Sequence, residues 1–184
     1  NWVDSVFPDL HGTFTISDLP AGTFKVEFDP WGENAVSQWY NNKTDFNSAD
    51  GITLTDGQNK TGINATLKRG ATISGKVTAP TGIDATEIQV TAYDEDYDQV
   101  GSASPASDGT YEVVGLPAGT YKVEFDSWSE NVLYQWYNDK TDFDSADEIT
   151  LTDGQNKTGI NATLKKGATI SGKVTAPTGI DATE

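Results

Sequence analysis

A repeat with a period of 97 residues constrains this chain more than any local pattern. The segment "WYNNKTDFNSAD" at 39–50 returns as "WYNDKTDFDSAD" at 136–147, and "TLTDGQNKTGINATL" at 53–67 returns unchanged at 150–164. Each pair is 97 positions apart, as Trp39 and Trp136 are. A fixed internal period overrides local interpretations, because each repeat folds as one structural unit. The sequence therefore predicts a tandem array.

The repeat sets the expected domain boundaries. We predict a truncated repeat at 1–69 that lacks its first two strands, a complete repeat at 70–166, and the opening strand of a further repeat at 167–184. A unit of about 100 residues is long enough to bury a core of its own.

Short segments alternate apolar and polar residues, which is typical of half-buried strands rather than helices. In "ATISGKVT" (71–78) the pattern places Ile73 and Val77 inward and Thr72 and Lys76 outward. Turn sequences such as "SDGT" and "LPAGT" separate these segments. We predict strands near 71–78, 87–93, 99–104, 110–114, 119–126, 132–138, 148–152 and 158–164. The fold class is therefore all-β, with seven to eight strands per repeat in an antiparallel sandwich.

Two segments of the complete repeat carry a family resemblance. "DGTYEVVGLPAGTYKVEF" (108–125) and "GATISGKVTAPTG" (70–82) resemble the carboxypeptidase regulatory-like domains, and the repeat is also similar to the B-type repeats of Gram-positive collagen-binding adhesins. The first copy keeps the longer pattern as "HGTFTISDLPAGTFKVEF" at 11–28. The resemblance implies a prealbumin-like Greek-key sandwich. It also implies a stalk, spacer or accessory module on a secreted or surface-anchored bacterial protein.

Charge and hydropathy exclude several classes of partner. The chain has 12 basic and 28 acidic residues, a net charge of −16, whereas phosphate backbones bind clustered Lys and Arg. No run of about 18 apolar residues is present, so we expect no membrane insertion. The chain has no cysteine, and hence no disulfide or catalytic thiolate.

The residues also argue against catalysis. His11 is the single histidine, and its counterpart in the second copy is Asp108, so the position does not require imidazole. We therefore predict no catalytic residues. Some adhesin repeats carry a Lys–Asn isopeptide bond, and Lys76 and Lys173 lie on opening strands while Asn64 and Asn161 lie on closing strands. Because all four are predicted on the outward face, away from the dry surroundings this chemistry needs, we predict no isopeptide bond.

Two acidic segments suggest calcium as the one candidate cofactor. Hard cations favour clustered carboxylates on loops, and the candidate ligands are Asp94, Asp96, Asp98, Asp142, Asp144 and Asp147. Neither segment completes an EF-hand, and surface charge is the alternative interpretation.

Aromatic loop residues suggest carbohydrate binding. Trp31 and Trp128 are the candidate platforms for a sugar ring. Trp136 and Tyr137 are neighbours on one predicted strand, so they point to opposite faces and at least one belongs to the core.

These features predict a non-catalytic, extracellular structural repeat. It would serve as a stalk or spacer, or as a filament subunit in which the tail of one molecule adds a strand to the head of the next. Its partners would then be neighbouring repeats or copies of itself. The alternative function is a carbohydrate- or matrix-binding adhesin module, with a polysaccharide or matrix partner.

Overall fold

Strands form where the period-two pattern predicts them. The computed structural model describes residues 2–127, 131–175 and 177. The chain separates into two units, the first formed by Asn1–Trp31 and Ser37–Leu67 and the second by Gly32–Val36 and Lys68–Glu184. In the first unit, β1 (Gly22–Phe24) pairs antiparallel with β4 (Ile52–Leu54), and β2 (Glu27–Phe28) pairs antiparallel with β3 (Gln38–Trp39).

The second unit is built from eleven strands and one 3-10 turn at Ala85–Glu87 in the part that the structure describes. The strands are β5 (Ala71–Thr78), β6 (Ile88–Tyr93), β7 (Gln99–Ala103), β8 (Thr110–Leu116), β9 (Gly119–Ser127), β10 (Val132–Leu133), β11 (Gln135–Trp136), β12 (Ile149–Leu151), β13 (Asn156–Lys157), β14 (Ala162–Thr163) and β15 (Lys165–Lys166). The predicted strand at 132–138 is thus divided into β10 and β11.

Two sheets of the second unit enclose its core. One has five strands in the order β11-β9-β6-β7, with β12 sharing the edge of β9 that β11 occupies. In the other, β8 pairs antiparallel with one edge of β5, while β13 and β14 pair parallel with the other edge. The fully buried side chains between them include Ile73, Ile88, Val90, Val113, Leu116, Val123 and Phe125. The prediction of an all-β, prealbumin-like sandwich is confirmed.

The predicted inward and outward faces hold with one exception. Tyr121, Val123 and Phe125 are buried, as the alternation predicts. Thr72 was predicted outward, and this is wrong because its side chain is only 1% exposed. The register of β5 against β8 shifts between Ala71 and Ile73, and on the other edge of β5 Thr72 pairs with Asn156 of β13. The Thr72 hydroxyl is satisfied there, donating to Asn156 Oδ1 at 3.1 Å.

The closing strand was predicted as one element at 158–164, but it breaks around Gly159, which has a φ of 80°. The backbone bonds β5 before the break, where Thr72 N–H donates to the Gln155 carbonyl at 2.8 Å, and again after it. Ile160 N–H donates to the Ser74 carbonyl at 3.1 Å, and Leu164 N–H donates to the Thr78 carbonyl at 2.9 Å. A Cβ on Gly75 would overlap the carbonyl oxygen of Ile160. The absence of a side chain at Gly75 therefore permits this close approach.

We expect the variant Gly75→Ala to lower the free energy of unfolding of the second unit by about 1–3 kcal/mol, because the new methyl must push the closing strand away from β5. The chain supplies a matched control. Gly172 lies in the same "ATISGKVT" sequence, where an added Cβ meets nothing within 4 Å. Gly172→Ala should change stability by no more than about 0.5 kcal/mol. Urea unfolding measures both, and equal midpoints for the two variants would contradict this account.

Candidate functional site

The two copies hold corresponding residues in the same strand register. In the first unit Gly22 pairs with Leu54 and Glu27 with Trp39. In the second unit Gly119 pairs with Leu151 and Glu124 with Trp136. All four pairs are related by the 97-residue offset, so both copies arrange this part of the repeat alike.

An aromatic cluster covers the outer face of the five-stranded sheet. It consists of Tyr93, Tyr97, Trp136 and Phe143. The Tyr93 and Tyr97 rings stack with centroids 4.9 Å apart, and Phe143 meets Trp136 edge-on at 5.4 Å. Trp136 is only 2% exposed, and its neighbour Tyr137 packs against the core on the other face, so the opposite-face prediction for this pair is confirmed. Aromatic contacts of this kind stabilise beyond the area they bury.

Lys122 of β9 holds the loop that contains Phe143, a member of this cluster. Lys122 Nζ donates to the Phe143 carbonyl at 2.9 Å and lies 4.3 Å from the Phe143 ring centroid. In the first unit Lys25 and Phe46 repeat both contacts, with the same 4.3 Å to the ring. An ammonium over an aromatic face is attracted by the ring quadrupole. The contact therefore fixes the loop in both copies.

A polar cavity of about 390 Å³ adjoins the cluster on the same face. Glu124 and Tyr93 contribute to its wall, and Tyr93 donates its hydroxyl to Glu124 Oε2 at 3.1 Å. Desolvation by burial raises the pKa of Glu124, partly offset by this hydrogen bond. Desolvation, reinforced by the charge of Glu124, raises the pKa of Tyr93 to about 12. The other lining residues are Gln89, Thr91, Gln99, Ser102, Asp126 and Ser127.

The structure uses the carboxylates of two of the six predicted calcium ligands, Asp94 and Asp142, in local turns. Asp94 Oδ1 accepts the backbone N–H groups of Asp96 at 3.0 Å and Asp98 at 2.9 Å. Asp142 Oδ1 accepts the N–H of Ser145 at 2.9 Å. Such bonds lower the pKa of Asp142.

Asp147 and Asp144 are placed in other ways. Asp147 accepts from Asn138 Nδ2 at 2.6 Å and lies 3.5 Å from Lys140 Nζ, while Asp144 is exposed. Within residues 2–127, 131–175 and 177, no group of three or more His, Cys, Asp or Glu side chains is placed to hold a metal ion. Calcium binding stays a prediction.

Of the two carbohydrate candidates, the structure describes Trp31 only. Trp31 is 78% exposed, has a φ of 44°, and meets Phe7 edge-on at 6.3 Å. Trp128 lies outside the described residues. Trp31 thus presents an open aromatic surface of the kind that the sugar hypothesis needs.

The isopeptide candidates are engaged in other ways. The side chains of Lys76 and Asn161 are exposed, as predicted, and Asn161 Oδ1 accepts the backbone N–H of Lys76 at 2.8 Å. Asn64 and Lys173 are exposed as well. Asn161 therefore contributes a side-chain bond to the contact between the closing strand and β5.

Sequence reasoning missed the aromatic cluster. It considered Trp136 apart from Tyr93, Tyr97 and Phe143, which come from different parts of the repeat. No spacing in the sequence singled out these residues, because every pair of residues shared by the two copies recurs at the same spacing.

We expect Glu124→Gln to weaken the dependence of stability on pH. Because the folded pKa is raised above the ordinary 4.5, the folded state binds the proton more tightly, and its stability falls as pH rises through and above that value. The neutral variant lacks this loss of stability. The melting temperature of the variant minus that of the natural chain should therefore increase between about pH 4 and pH 7. Tyr93→Phe, which removes the hydrogen bond to the carboxylate, should steepen the loss. Parallel melting curves for all three chains would refute the assignment.

Comparisons with known proteins give one family and several distant structural likenesses. A search of curated proteins found no match. Similar solved chains come from two interface mutants of a type II cohesin–X-dockerin complex of Acetivibrio cellulolyticus, at 21% and 20% identity and TM-scores of 0.32 and 0.33. These matches cover 52% and 53% of this chain, and 57% and 59% of those chains, so less than two thirds of their length is spanned.

The Bacillus anthracis TIE protein is similar at 13% identity and a TM-score of 0.36, over 86% of this chain and 28% of that one. Among the described residues, no helix has the length and apolar character needed to cross a membrane. The profile of the carboxypeptidase regulatory-like domain matches residues 72–165, slightly more than half of the 184 residues. The chain therefore belongs to the carboxypeptidase regulatory-like domain family.

Proposed function

We propose that this chain is part of an extracellular stalk, in which tandem β-sandwich repeats hold another module away from a cell surface. The observation that carries the proposal is the recurrence of one strand register at a 97-residue offset. Repeats of this kind add length without needing chemistry of their own. The net charge of −16 also favours a chain that repels its copies and stays extended.

The side-chain inventory supports a non-catalytic role. His11, the single histidine, is exposed in a turn, where its backbone N–H donates to Asp9 Oδ1 at 2.9 Å. Its counterpart Asp108 makes a similar turn, accepting the N–H of Thr110 at 2.9 Å. Both residues serve the backbone of a turn, which is a structural role.

The topology suits a module that bears tension. In a stalk, force acts on the start of β5 and on the end of the closing strand. These two strands are neighbours in the sheet and run parallel, so the force acts at opposite ends of their contact. Pulling the two apart loads their bonds together in shear, because parallel strands drawn from opposite ends must slide along each other. The bonds in question join Thr72 N–H to the Gln155 carbonyl at 2.8 Å, Ile160 N–H to Ser74 and Leu164 N–H to Thr78.

Single-molecule pulling tests this proposal directly. The chain has no cysteine, so thiol handles can be introduced at chosen sites. Handles at Lys68 and Lys166 load the parallel contact in shear, and the unfolding event should release roughly 320–350 Å of extended chain less the folded distance. Handles at Lys76 and Thr110, which face each other across β5 and β8, open that ladder one bond at a time. We expect a clearly higher unfolding force for the first pair.

The variant Asn161→Ala should lower the shear force, because it removes the side-chain bond to Lys76 N–H. Asn64→Ala is the matched control, since Asn64 is the exposed counterpart in the first unit. Equal forces in the two pulling directions, or no effect of Asn161→Ala, would argue against a load-bearing role.

A second candidate is the filament subunit joined by strand addition. Within the described residues, β1 and β2 pair on one edge only, whereas their counterpart β9 also pairs with β6. Leu67 is 38% exposed, while its counterpart Leu164, covered by β5, is 3% exposed. An open edge above exposed apolar side chains favours the addition of a strand. Light scattering of the chain with and without 167–184 tests this, and a monomer in both cases would count against it.

The alternative is a carbohydrate- or matrix-binding module. The exposed Trp31 supports it, because a flat aromatic ring stacks on a sugar face. A glycan array that compares the natural chain with Trp31→Ala tests this alternative, and silence of the natural chain across plant and bacterial glycans would favour the stalk.

A further inference from the structure

The segment Gly32–Val36 belongs to the second unit although its sequence lies within the first copy. Val36 N–H donates to the Lys68 carbonyl at 2.8 Å, and Gly70 N–H donates to the Asn34 carbonyl at 3.2 Å. The Asn34 side chain reaches further, and its Oδ1 accepts the N–H of Gly115 in β8 at 3.1 Å. We name residues 34–36 and 68–70 the first clamp.

Glycines allow the first clamp to hold β8 closely. A Cβ on Gly70 would lie 2.5 Å from Gly115 Cα, and a Cβ on Gly115 would lie 3.1 Å from the Ala35 carbonyl oxygen. Gly115 has a φ of 77°, a conformation in which side chains are strained. The clamp therefore packs against a bulge in β8. The two backbones approach each other closely there because Gly70 and Gly115 have no side chains.

A second clamp lies 97 positions further on, at residues 131–133 and 165–167. Gly167 N–H donates to the Asn131 carbonyl at 2.7 Å, and Val132 pairs with Lys166 as Ala35 does with Arg69. A Cβ on Gly167 would lie 3.5 Å from Asn131 Oδ1, whereas a Cβ on Gly70 would lie 2.8 Å from Asn34 Oδ1, so the amide lies near the glycine in both clamps and closer in the first. The position that corresponds to Gly115 lies 97 residues beyond it, after Glu184.

We infer that the second clamp is a docking site for a following copy of this repeat, which binds through its glycine bulge to Asn131 Oδ1. The inference rests on the proposed tandem stalk and identifies the contact between one repeat and the next. The occupant is indicated by the first clamp, where the same residue types already hold such a bulge. It is also indicated by the sequence, because 167–177 repeats 70–80.

The residue at the position of Gly115 decides which repeat can dock on the second clamp. In the first copy the counterpart of Gly115 is Asp18, which has a similar φ of 61° but carries a side chain. A Cβ at this position in a docked copy would press on the backbone of the clamp, because a Cβ on Gly115 meets the Ala35 carbonyl oxygen, and a carboxylate would face the carbonyl oxygen of Val132, the counterpart of Ala35. A copy with glycine fits the second clamp, whereas a copy with aspartate does not.

The test extends the full chain after Glu184 with a second copy of 88–166, which completes the following repeat because Glu184 corresponds to Glu87. Amide hydrogen exchange is followed by NMR at the added glycine that corresponds to Gly115. We expect Asn131→Ala to speed exchange at this amide about tenfold or more, and Asn131→Gly, which removes the side chain without straining the φ of 78° at this residue, should do the same. Asn131→Asp, which keeps an acceptor oxygen, should restore most of the protection. Replacing the added glycine by aspartate should disrupt docking as Asn131→Ala does.

Two controls make the result decisive. In the 184-residue chain, Asn34→Ala should deprotect the Gly115 amide, while Asn131→Ala should leave it unchanged. The inference is overturned if the added glycine exchanges at the same rate with and without the Asn131→Ala substitution, or if the added repeat fails to fold beside an intact clamp. The pulling experiment tests the proposed stalk function and does not depend on the exchange measurements. Failure of the stalk proposal and failure of the docking proposal are therefore distinguishable.

Discussion

The parallel contact between the closing strand and β5 is the interaction on which the second unit depends. It closes one sheet, buries Ile160 and Leu164 over the core, and receives the Tyr111 hydroxyl, which donates to the Ile160 carbonyl at 2.6 Å. Burial raises the pKa of Tyr111, in keeping with a neutral, hydrogen-bonded phenol. Because the contact joins the two ends of the repeat, every element between them is held within one closed body.

The first unit shows what happens without that contact. Its strands keep the register of the second unit, yet Leu67 stays exposed where its counterpart Leu164 is buried. Phe14 and Phe24 stand where the second copy has Tyr111 and Tyr121, whose hydroxyls bond backbone carbonyls. The registers of β1 with β4 and β2 with β3 thus occur in both copies, and in the second unit β5 closes the body through its contact with the closing strand.

Much of the fold was predictable because alternation and turn residues act locally. The strands β5, β6, β7, β8 and β9 lie within a few residues of their predicted bounds. Thr72 escaped prediction because its burial depends on a register shift and on a segment more than 80 residues away. The aromatic cluster escaped for the same reason, since Tyr97 and Phe143 meet only after β6 and β9 are paired.

The sequence by itself determined the period, the all-β class and the side chains that face the core, because these follow from repetition and from alternation along single strands. Only the tertiary structure decided that the closing strand runs parallel to β5, that Gly75 must lack a side chain, and that Asn34 reaches Gly115. Those features depend on which distant backbones come within a few ångströms of each other, and no pattern within one segment specifies such distances.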